Sequence, residues 1–584
     1  MSVLNFRLEI RFRNPAIHQR GRIPTMGEKQ PEKGSQKPKG DPNMAIYSTY
    51  YENFFQKELL GDDNVATLKA KYDGAAPFEH TVIPNVFDID LLKSVRKEIS
   101  EHLHFTQKET DIYKIHQTGD LRNLSGLRKS ELKRLYNLRT VRNSLYSREF
   151  REFISRVTGC GPLSVTRQDL AINVYQKGCY LLPHDDVIGT RRVSFILYLT
   201  DPKDVWEPSR GGALRLYPVQ TLSDPSHEEL VSIPPSFNHL ALFAVQPGRS
   251  YHDVEEIYHD SPRLAISGWF HLPQSGEMDY DADVVEHAVE QSSLQQLNSK
   301  KHEADIPKIS FNPFDENELD DILSEEEIDY LKDHLNPELL TPDAVEQLSN
   351  TFAEESTLRI YNFLNIPDSF AQEIVGIDKG SIKDSGFPVA GPLYKQKYCY
   401  ATKDQPHCQA FHYVLGELFT HPAFRHWLKL ACGVTPMSYS VQGRVFRKGS
   451  DYTLATAHEG SRPILEATLG LTPNDEGWGD GEFGGYEIYL SPDEDKKQDP
   501  AVFSHWRPKE KSQEDHILLT TGPSWNALTL VFREPEVLKF VKYCSKAAPG
   551  NRWDAVAQYH IANEDIEKDE EDETDVNKGE SSGV

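Results

Sequence analysis

A His-Asp-Asp run constrains this chain more than any other feature, because it puts an imidazole and a carboxylate two residues apart. In an extended strand, residues two apart point to the same face, so His184 and Asp186 would converge while Asp185 turns away. A distant imidazole, His252, would complete two histidines and one carboxylate, which is typical of a non-haem Fe(II) site with open positions. Arg263 then offers a guanidinium that can hold a carboxylate through two hydrogen bonds.

The surrounding sequence predicts short antiparallel strands. Residues 173–175 and 192–199 are rich in β-branched and aromatic side chains, which favour strands. Glycines at 178, 189, 211 and 212 indicate turns between them. His252 and Arg263 lie on two short segments, 249–254 and 263–271, joined by a polar link, which indicates a hairpin.

Three other histidines compete for the role of the distal ligand. His239 begins an apolar stretch, and we interpret it as a structural histidine in a buried strand. His259 lies in the polar link, and His271 follows Arg263 instead of preceding it. His252 keeps the order histidine then arginine that a 2-oxo acid site requires, so we expect it to be the ligand.

Several motifs resemble a known family, the prolyl 3,4-dihydroxylases that act on a ribosomal protein. The resemblance covers roughly residues 45–565 and is strongest over 113–271. Its motifs are YKIHQTGDL (113–121), LLPHDDVIGTRRVSFILYLT (181–200), GGALRLYP (211–218), FNHLALF (237–243), SYHDVEEI (250–257) and RLAISGWFH (263–271).

The resemblance implies a 2-oxoglutarate-dependent prolyl hydroxylase that uses Fe(II) and O₂, with ascorbate as a supporting reductant. It implies that Fe(II) is bound by His184, Asp186 and His252. It also implies that 2-oxoglutarate is held by Arg263, in a pocket lined by Tyr175 and Tyr198. The expected substrate is a prolyl residue of a small-subunit ribosomal protein. We further expect a role in translation termination or fidelity and in oxygen sensing, in the nucleus and cytoplasm.

A chain of 584 residues is expected to form two or more domains. We predict a disordered tail over 1–45, a catalytic oxygenase domain over 46–272 and an acidic linker with short helices over 273–321. A non-catalytic domain would follow over 322–562, and an acidic disordered tail over 563–584.

The second of these domains resembles the first. Residues 452–473 resemble 180–202, and 531–560 follow 242–271 without a gap, so that Arg552 stands opposite Arg263. His458 would correspond to His184, but Gly460 stands in place of Asp186 and Val541 in place of His252. We therefore predict a mainly β fold with flanking α-helices: two double-stranded β-helix (jelly-roll or cupin-like) domains, the second degenerate.

The composition of the chain limits the kinds of partner and compartment that we expect for it. The formal net charge of −26 argues against direct nucleic-acid binding and suits a basic protein partner. Translation-termination or mRNA-binding proteins are further candidate partners, through the second domain. The six scattered cysteines suit a reducing compartment, and no apolar run reaches the length of a membrane span.

Two alternative functions stay open: a 2-oxoglutarate oxygenase acting on another protein residue or a small molecule, and a non-catalytic cupin-like binding module.

Overall fold

Two halves, each built on antiparallel β-structure, make up the part of the chain that the structure describes. The structure is a computed structural model describing residues 51–290, 305–315, 318–365, 369–380, 382, 385–458, 460–473, 475–479, 481–491 and 517–563. We call 51–290 the N-terminal half and the described residues of 305–563 the C-terminal half. The predicted tail over 1–45 lies outside the described residues, and so does the predicted tail over 563–584 apart from residue 563.

The N-terminal half combines helices with thirteen described strands. The helices are α1 (Asp62–Asp73), α2 (Ile89–His102), α3 (Lys129–Arg134), α4 (Tyr136–Leu145), α5 (Arg148–Thr158) and α6 (Ala282–Glu290). The strands are β1 (His80–Pro84), β2 (Thr106–Glu109), β3 (Tyr113–Gln117), β4 (Asp169–Tyr175), β5 (Tyr180–His184), β6 (Arg191–Tyr198), β7 (Leu214–Leu216), β8 (Val219–Thr221), β9 (Asp224–Pro225), β10 (Val231–Ile233), β11 (His239–Ala244), β12 (His252–Val254) and β13 (Arg263–His271).

Helix α5 illustrates how the local sequence sets these elements. Ser147 caps its first turn by accepting a hydrogen bond from the backbone N–H of Phe150 (3.3 Å), and Gly159 ends it at φ +68°. Its apolar face, spaced at three and four residues, is buried in the same core as the outer face of the sheet. Burying each such side chain contributes roughly 1.5–3 kcal/mol.

Side chains of β6 alternate between two cores. Val193, Phe195 and Leu197 pack with the helices, whereas Ile196 and Tyr198 point into a second cluster inside the sheet. Because both faces of β6 are covered, its sequence is a nearly continuous run of apolar residues and not a simple alternation of apolar and polar ones.

The main sheet curls back on itself. Its strand order is β1-β11-β6-β13-β4-β3-β5-β12-β7-β10, so β11 and β12 are six places apart. Even so, the ring centroids of Phe243 on β11 and His252 on β12 lie 4.5 Å apart. The interior between these strands is where the predicted site residues lie.

The C-terminal half repeats much of this strand pairing. Its helices of ten or more residues are α7 (Glu325–His334), α8 (Pro342–Glu355), α9 (Ser369–Lys379) and α10 (Pro422–Cys432). Its strands are β14 (Asn312–Pro313), β15 (Thr357–Tyr361), β16 (Gln396–Lys397), β17 (Cys399–Ala401), β18 (Pro436–Phe446), β19 (Tyr452–Thr453), β20 (Ile464–Leu471), β21 (Glu487–Leu490), β22 (Ile517–Thr521), β23 (Trp525–Arg533), β24 (Leu538–Val541) and β25 (Arg552–Ile561). The order β18-β25-β20-β23-β15 reproduces β4-β13-β6-β11-β1, and β21–β24 reproduces β7–β12. The mainly β fold with flanking helices and two related β-domains is therefore confirmed.

The two halves have separate main cores, one formed by residues 55–270 and the other by residues 314–561. Phe314 lies within the stretch predicted as a linker, yet it packs in the C-terminal core, because β14 pairs with β18 just before it. Short helices were predicted for that stretch, and α6 is one helix found there. None of the helices in the described ranges has the length and apolar character needed to cross a bilayer.

Candidate metal and co-substrate site

His184, Asp186 and His252 come together inside the N-terminal sheet. Nε2 of His184 lies 3.2 Å from Oδ1 of Asp186, and Nε2 of His252 lies 3.4 Å from Oδ2. Within the described part of the chain, they are the only three His, Cys, Asp or Glu side chains whose potential ligand atoms all lie within 4.8 Å of one another. His252 and Asp186 are buried, and His184 is partly buried.

Backbone carbonyls orient both imidazoles. Nδ1 of His184 lies 2.8 Å from the carbonyl oxygen of Leu182, and Nδ1 of His252 lies 2.8 Å from that of Ser250. A carbonyl can only accept, so each Nδ1 must carry the proton. In the neutral ring each Nε2 then has a free lone pair directed at the common point, as a metal ligand needs.

The way Asp186 reaches the site differs from the prediction. Strand β5 ends at His184, and Asp186 lies beyond it with φ +62°, in the left-handed region. The pairing of β5 with β12 also shifts register between His252, opposite His184, and Val254, opposite Leu181. The prediction that Asp186 continues the strand was therefore wrong. The two side chains still converge, because a bulge and a left-handed residue replace regular strand geometry.

Asp185 points away from the site, as predicted, and its carboxylate accepts two backbone hydrogen bonds. Its Oδ1 accepts from the N–H of Val187 (3.2 Å) and its Oδ2 from that of Gly248 (3.2 Å). The side chain is buried and ties the turn after β5 to the loop before His252.

Two donors that the sequence reading missed fix the carboxylate of Asp186. Ser194 Oγ donates to Oδ2 at 2.6 Å and Trp269 Nε1 donates to the same atom at 2.9 Å. Arg191 stacks on the Trp269 ring, with its guanidinium carbon 3.4 Å from the centroid. The spacing of Trp269 from Arg263 on β13 is even, so strand parity could have placed Trp269 on the site's face.

Charge balance favours the ionised carboxylate. Burial alone would raise the pKa of Asp186, but His252 and His184 beside it hold that pKa well below its ordinary value. Burial would lower the pKa of His184, yet the neighbouring Asp186 raises it. A divalent cation among these groups would take the place of the imidazole protons as the positive partner.

Arg263 lies buried at the start of β13, with 1% of its surface exposed. Its guanidinium faces two aromatic rings, 4.8 Å from the centroid of Tyr175 and 5.1 Å from that of Tyr198. Its Nε and Nη2 have no hydrogen-bond partner among the described residues. A buried cation is costly without a counter-charge, so an anion bound beside this guanidinium would stabilise it.

The competing histidines lie elsewhere. Nδ1 of His239 lies 3.0 Å from its near neighbour's carbonyl, and His259 is exposed and bonds Ser261. His271 is buried at the end of β13, where it contacts Asp169 and Thr190. Of the four histidines, only His252 lies beside His184 and Asp186.

The C-terminal half lacks a comparable group of side chains in its described residues. Val541 ends β24, and Thr456 exchanges backbone hydrogen bonds with Lys539 on that strand. His458 lies two residues beyond this bridge, so it does not take the cross-strand position that His184 holds opposite His252. Gly460 carries no side chain that could replace Asp186.

Comparison with known proteins also distinguishes the two halves, because a different family model matches each. A family model described as the 2OG-Fe(II) oxygenase superfamily matches residues 170–271. A second, described as oxoglutarate and iron-dependent oxygenase degradation C-term, matches residues 326–569. The first match spans all four residues of the candidate site, and the second lies within the C-terminal part of the chain.

Relatives match along most of the chain. It is 32% identical to the prolyl 3,4-dihydroxylase OGFOD1 of Ostreococcus tauri over 542 residues, covering 88% of this chain and 99% of the relative. It is 27% identical to the mouse prolyl 3-hydroxylase OGFOD1, covering 83% of this chain and 89% of the relative. A solved Pseudomonas putida prolyl-4-hydroxylase shares 20% identity over 35% of this chain and 98% of its own, at a TM-score of 0.25. The chain therefore belongs to the OGFOD1 family of Fe(II)- and 2-oxoglutarate-dependent prolyl hydroxylases.

Proposed function

We propose that Arg263 binds the distal carboxylate of 2-oxoglutarate while His184, Asp186 and His252 hold Fe(II). The observation that carries this proposal is the buried guanidinium whose Nε and Nη2 have no partner among the described residues. A dicarboxylate would supply the missing charge through a bidentate contact. Its other end could then reach the open positions of the metal.

The remaining residues orient and shield these groups. Tyr175 and Tyr198 are buried with their ring centroids 4.8 and 5.1 Å from the Arg263 guanidinium carbon. We infer that they form the walls of the co-substrate pocket and keep water from it. Ser194 and Trp269 hold one carboxylate oxygen of Asp186, which fixes the direction of the ligand. When bound, Fe(II), 2-oxoglutarate and O₂ supply the chemistry, which couples decarboxylation of the 2-oxo acid to hydroxylation of a prolyl C–H bond.

The substrate we propose is a prolyl residue of a small-subunit ribosomal protein. Support comes from the family resemblance of the sequence and from the net charge of −26, which suits a basic partner. On the same resemblance we propose a role in translation termination or fidelity and in oxygen sensing, in the nucleus and cytoplasm, with ascorbate as supporting reductant. The C-terminal half would recognise protein partners, including translation-termination or mRNA-binding proteins.

Intact-mass analysis tests this proposal. Purified small-subunit ribosomal proteins are incubated with the full chain, Fe(II), 2-oxoglutarate and ascorbate. We expect one protein to gain the mass of one or two oxygen atoms at a proline, with matching succinate formation. The gain should vanish with Arg263→Leu and when the modified proline is replaced by alanine. Hydroxylation of another residue type, or succinate formation that no ribosomal protein stimulates, would contradict the proposal.

A further inference from the structure

We propose that the C-terminal half clamps the two strands that carry the histidine ligands, and that Glu256 is the positioning residue through which it acts on His252. The inference rests on the proposed function, in which His184 and His252 bind the metal. These two residues are direct cross-strand neighbours on β5 and β12. The clamp consists of contacts that the C-terminal half makes with β5 and with the residues on both sides of β12.

Glu256 is the centre of these contacts. Its carboxylate accepts hydrogen bonds from Tyr543 Oη (3.3 Å), Ser545 Oγ and the backbone N–H of Lys546 (2.9 Å). All three donors belong to the C-terminal half, and Glu256 is only 3% exposed. A buried carboxylate is stable only with such donors, so Glu256 is fixed to the loop over 543–546.

This attachment lies four residues after His252 along the chain. The next residue, Ile257, exchanges backbone hydrogen bonds with the turn before β5: its N–H donates to Cys179 (3.0 Å) and its carbonyl accepts from Gly178 (2.9 Å). The anchor at Glu256 therefore holds the segment after β12 and the turn that leads into β5. Strand β12 has only three residues, so these flanking contacts matter for its position.

The other side of His252 is attached as well. Tyr251 stacks on Tyr394 of the C-terminal half, with centroids 5.3 Å apart and ring planes at 12°. Both tyrosines belong to one small apolar cluster, in which Tyr251 is 1% exposed. His252 is therefore bracketed by two contacts with the C-terminal half.

The strand that carries His184 is covered in the same way. Tyr180 on β5 packs on Tyr543, with ring centroids 4.4 Å apart. Leu182 joins the same buried cluster, together with two C-terminal residues, Tyr452 and Leu454. Tyr543 thus contacts β5 through its ring and the segment after β12 through its hydroxyl.

The contacting segments are counterparts of each other in the two halves. In the ungapped match of 531–560 with 242–271, Ser545 stands opposite Glu256, and the 452–473 segment stands opposite 180–202. The C-terminal half has Val541 and Gly460 where ligands would be, yet the segments next to them place large buried side chains, Tyr452, Leu454 and Tyr543, in this contact. The C-terminal half therefore contacts the ligand-bearing strands although it lacks two of the ligand residues itself, as expected of a half that clamps these strands.

Metal affinity of the full chain tests the clamp without relying on turnover. Outer partners of metal ligands typically contribute 10–100-fold to affinity, and Glu256 acts one step further out. We expect Glu256→Ala to weaken Mn(II) binding about tenfold and to alter the d–d absorption of bound Co(II). Glu109→Gln is the matched control, because it removes another buried contact between the halves, with Lys542, away from β12. The control should lower thermal stability but leave Mn(II) affinity unchanged.

A second pair of variants tests the same coupling from the other side. Ser545→Ala lies in the half without metal ligands, yet it should weaken Mn(II) binding in the direction of Glu256→Ala. The double variant should bind Mn(II) no more weakly than Glu256→Ala alone, since both changes remove the same hydrogen bond between Ser545 and Glu256. If Glu256→Ala does not fold, Ser545→Ala and Tyr543→Phe decide the question.

The outcomes separate the clamp from the proposed function. Unchanged Mn(II) affinity and an unchanged Co(II) spectrum in the Glu256 and Ser545 variants would overturn the clamp. An equal loss of affinity in Glu109→Gln would overturn it too, because the effect would then be general loosening of the interface. If His252→Ala also binds Mn(II) normally, the assignment of the metal ligands fails instead.

Discussion

The two halves begin corresponding strands with a buried arginine, but they surround it differently. Arg263 starts β13 and Arg552 starts β25, with 1% and 3% of their surfaces exposed. Arg263 faces two tyrosine rings, and its Nε and Nη2 have no hydrogen-bond partner among the described residues. Arg552 donates to Asp554 at 2.7 Å and to the carbonyl of Gly485, and it lies 3.9 Å from Glu487.

The carboxylates around Arg552 belong to a larger buried network. Arg444 bonds both Asp554 (2.6 Å) and Glu487 (2.9 Å). Lys539 lies 3.1 Å from both Glu487 and Glu466. Among the described residues, the cations of this network are thus neutralised by carboxylates of the C-terminal half, whereas Nε and Nη2 of Arg263 have no hydrogen-bond partner. A retained arginine is therefore weak evidence of a binding site unless its counter-charge is also examined.

The largest effect is expected from removing a metal ligand. Asp186→Ala should abolish turnover and lower metal affinity by more than the 10–100-fold typical of outer partners, because it removes one of three ligands. Metal analysis of the wild-type chain should find one iron, since the C-terminal half offers no second triad among its described residues. Two tightly bound irons per chain would break the comparison between the halves.

The neighbouring carboxylate is the control for that experiment. Asp185→Asn should keep metal binding and most activity, because the amide oxygen can still accept from a backbone N–H. Asp185→Ala should cost stability while sparing the metal, since both of its backbone donors would lose their partner. If Asp185→Asn abolishes metal binding and Asp186→Ala does not, the ligand assignment is reversed.

Paired arginine variants should separate the two halves most sharply. Arg263→Leu should raise the 2-oxoglutarate concentration needed for turnover by more than about 100-fold, because losing one partner of a buried ion pair costs about 3–5 kcal/mol. Its Mn(II) affinity should stay near the wild-type value. Arg552→Leu should do the opposite: it should lower the free energy of unfolding, because Asp554 loses a partner, and leave the 2-oxoglutarate requirement unchanged. Steady-state kinetics and urea unfolding measure both, and equal effects of the two variants would contradict the comparison.

Acid should weaken the C-terminal network through Glu466. Burial alone would raise its pKa, but Lys539 and Arg533 lower that pKa from 4.5 to about 2. The folded pKa is depressed, so the stabilisation is present above pH 4.5 and is lost as the pH falls from 4.5 towards 2. At pH 7 it amounts to roughly 3 kcal/mol.

Unfolding of Glu466→Gln checks this expectation. The variant should be less stable than the wild type at pH 7, and the difference should shrink as the pH falls below 4.5. Its 2-oxoglutarate requirement at pH 7 should not change. A stability difference that is constant between pH 7 and pH 3 would show that the charge of Glu466 does not matter.

The smallest effect is expected at Ser194. Ser194→Ala removes one of two donors to Oδ2 of Asp186 and leaves Trp269 in place. We expect Mn(II) affinity to fall about tenfold, at the lower end of the range for such partners. Ser232→Ala on the exposed edge strand β10 is the matched control and should change nothing. An unchanged affinity in Ser194→Ala would mean that Trp269 alone orients the carboxylate.

Much of the site could be predicted from residue order and spacing. The separation of His184 and Asp186, the order of His252 and Arg263, and the matched segments of the second half all follow from the chain itself. These features could be predicted because the order and type of residues are read directly from the chain, whereas strand periodicity holds only where a strand is regular. Along β13, which runs from Arg263 to His271, strand parity relates Trp269 to Arg263.

Other parts of the site depended on contacts between distant strands. The sequence by itself determined which residue types were available for a metal and a dicarboxylate, and that Gly460 and Val541 replace two of the ligands in the second half. Only the tertiary structure decided that Asp186 reaches the site through a left-handed residue, and that Ser194 on β6 donates to it. It also decided which arginine is neutralised and that Glu256 is held by the other half. The physical reason is that spacing along a strand fixes only the side chain's face, whereas counter-charges and hydrogen-bond partners come from strands that the curled sheet and the contact between the halves bring together.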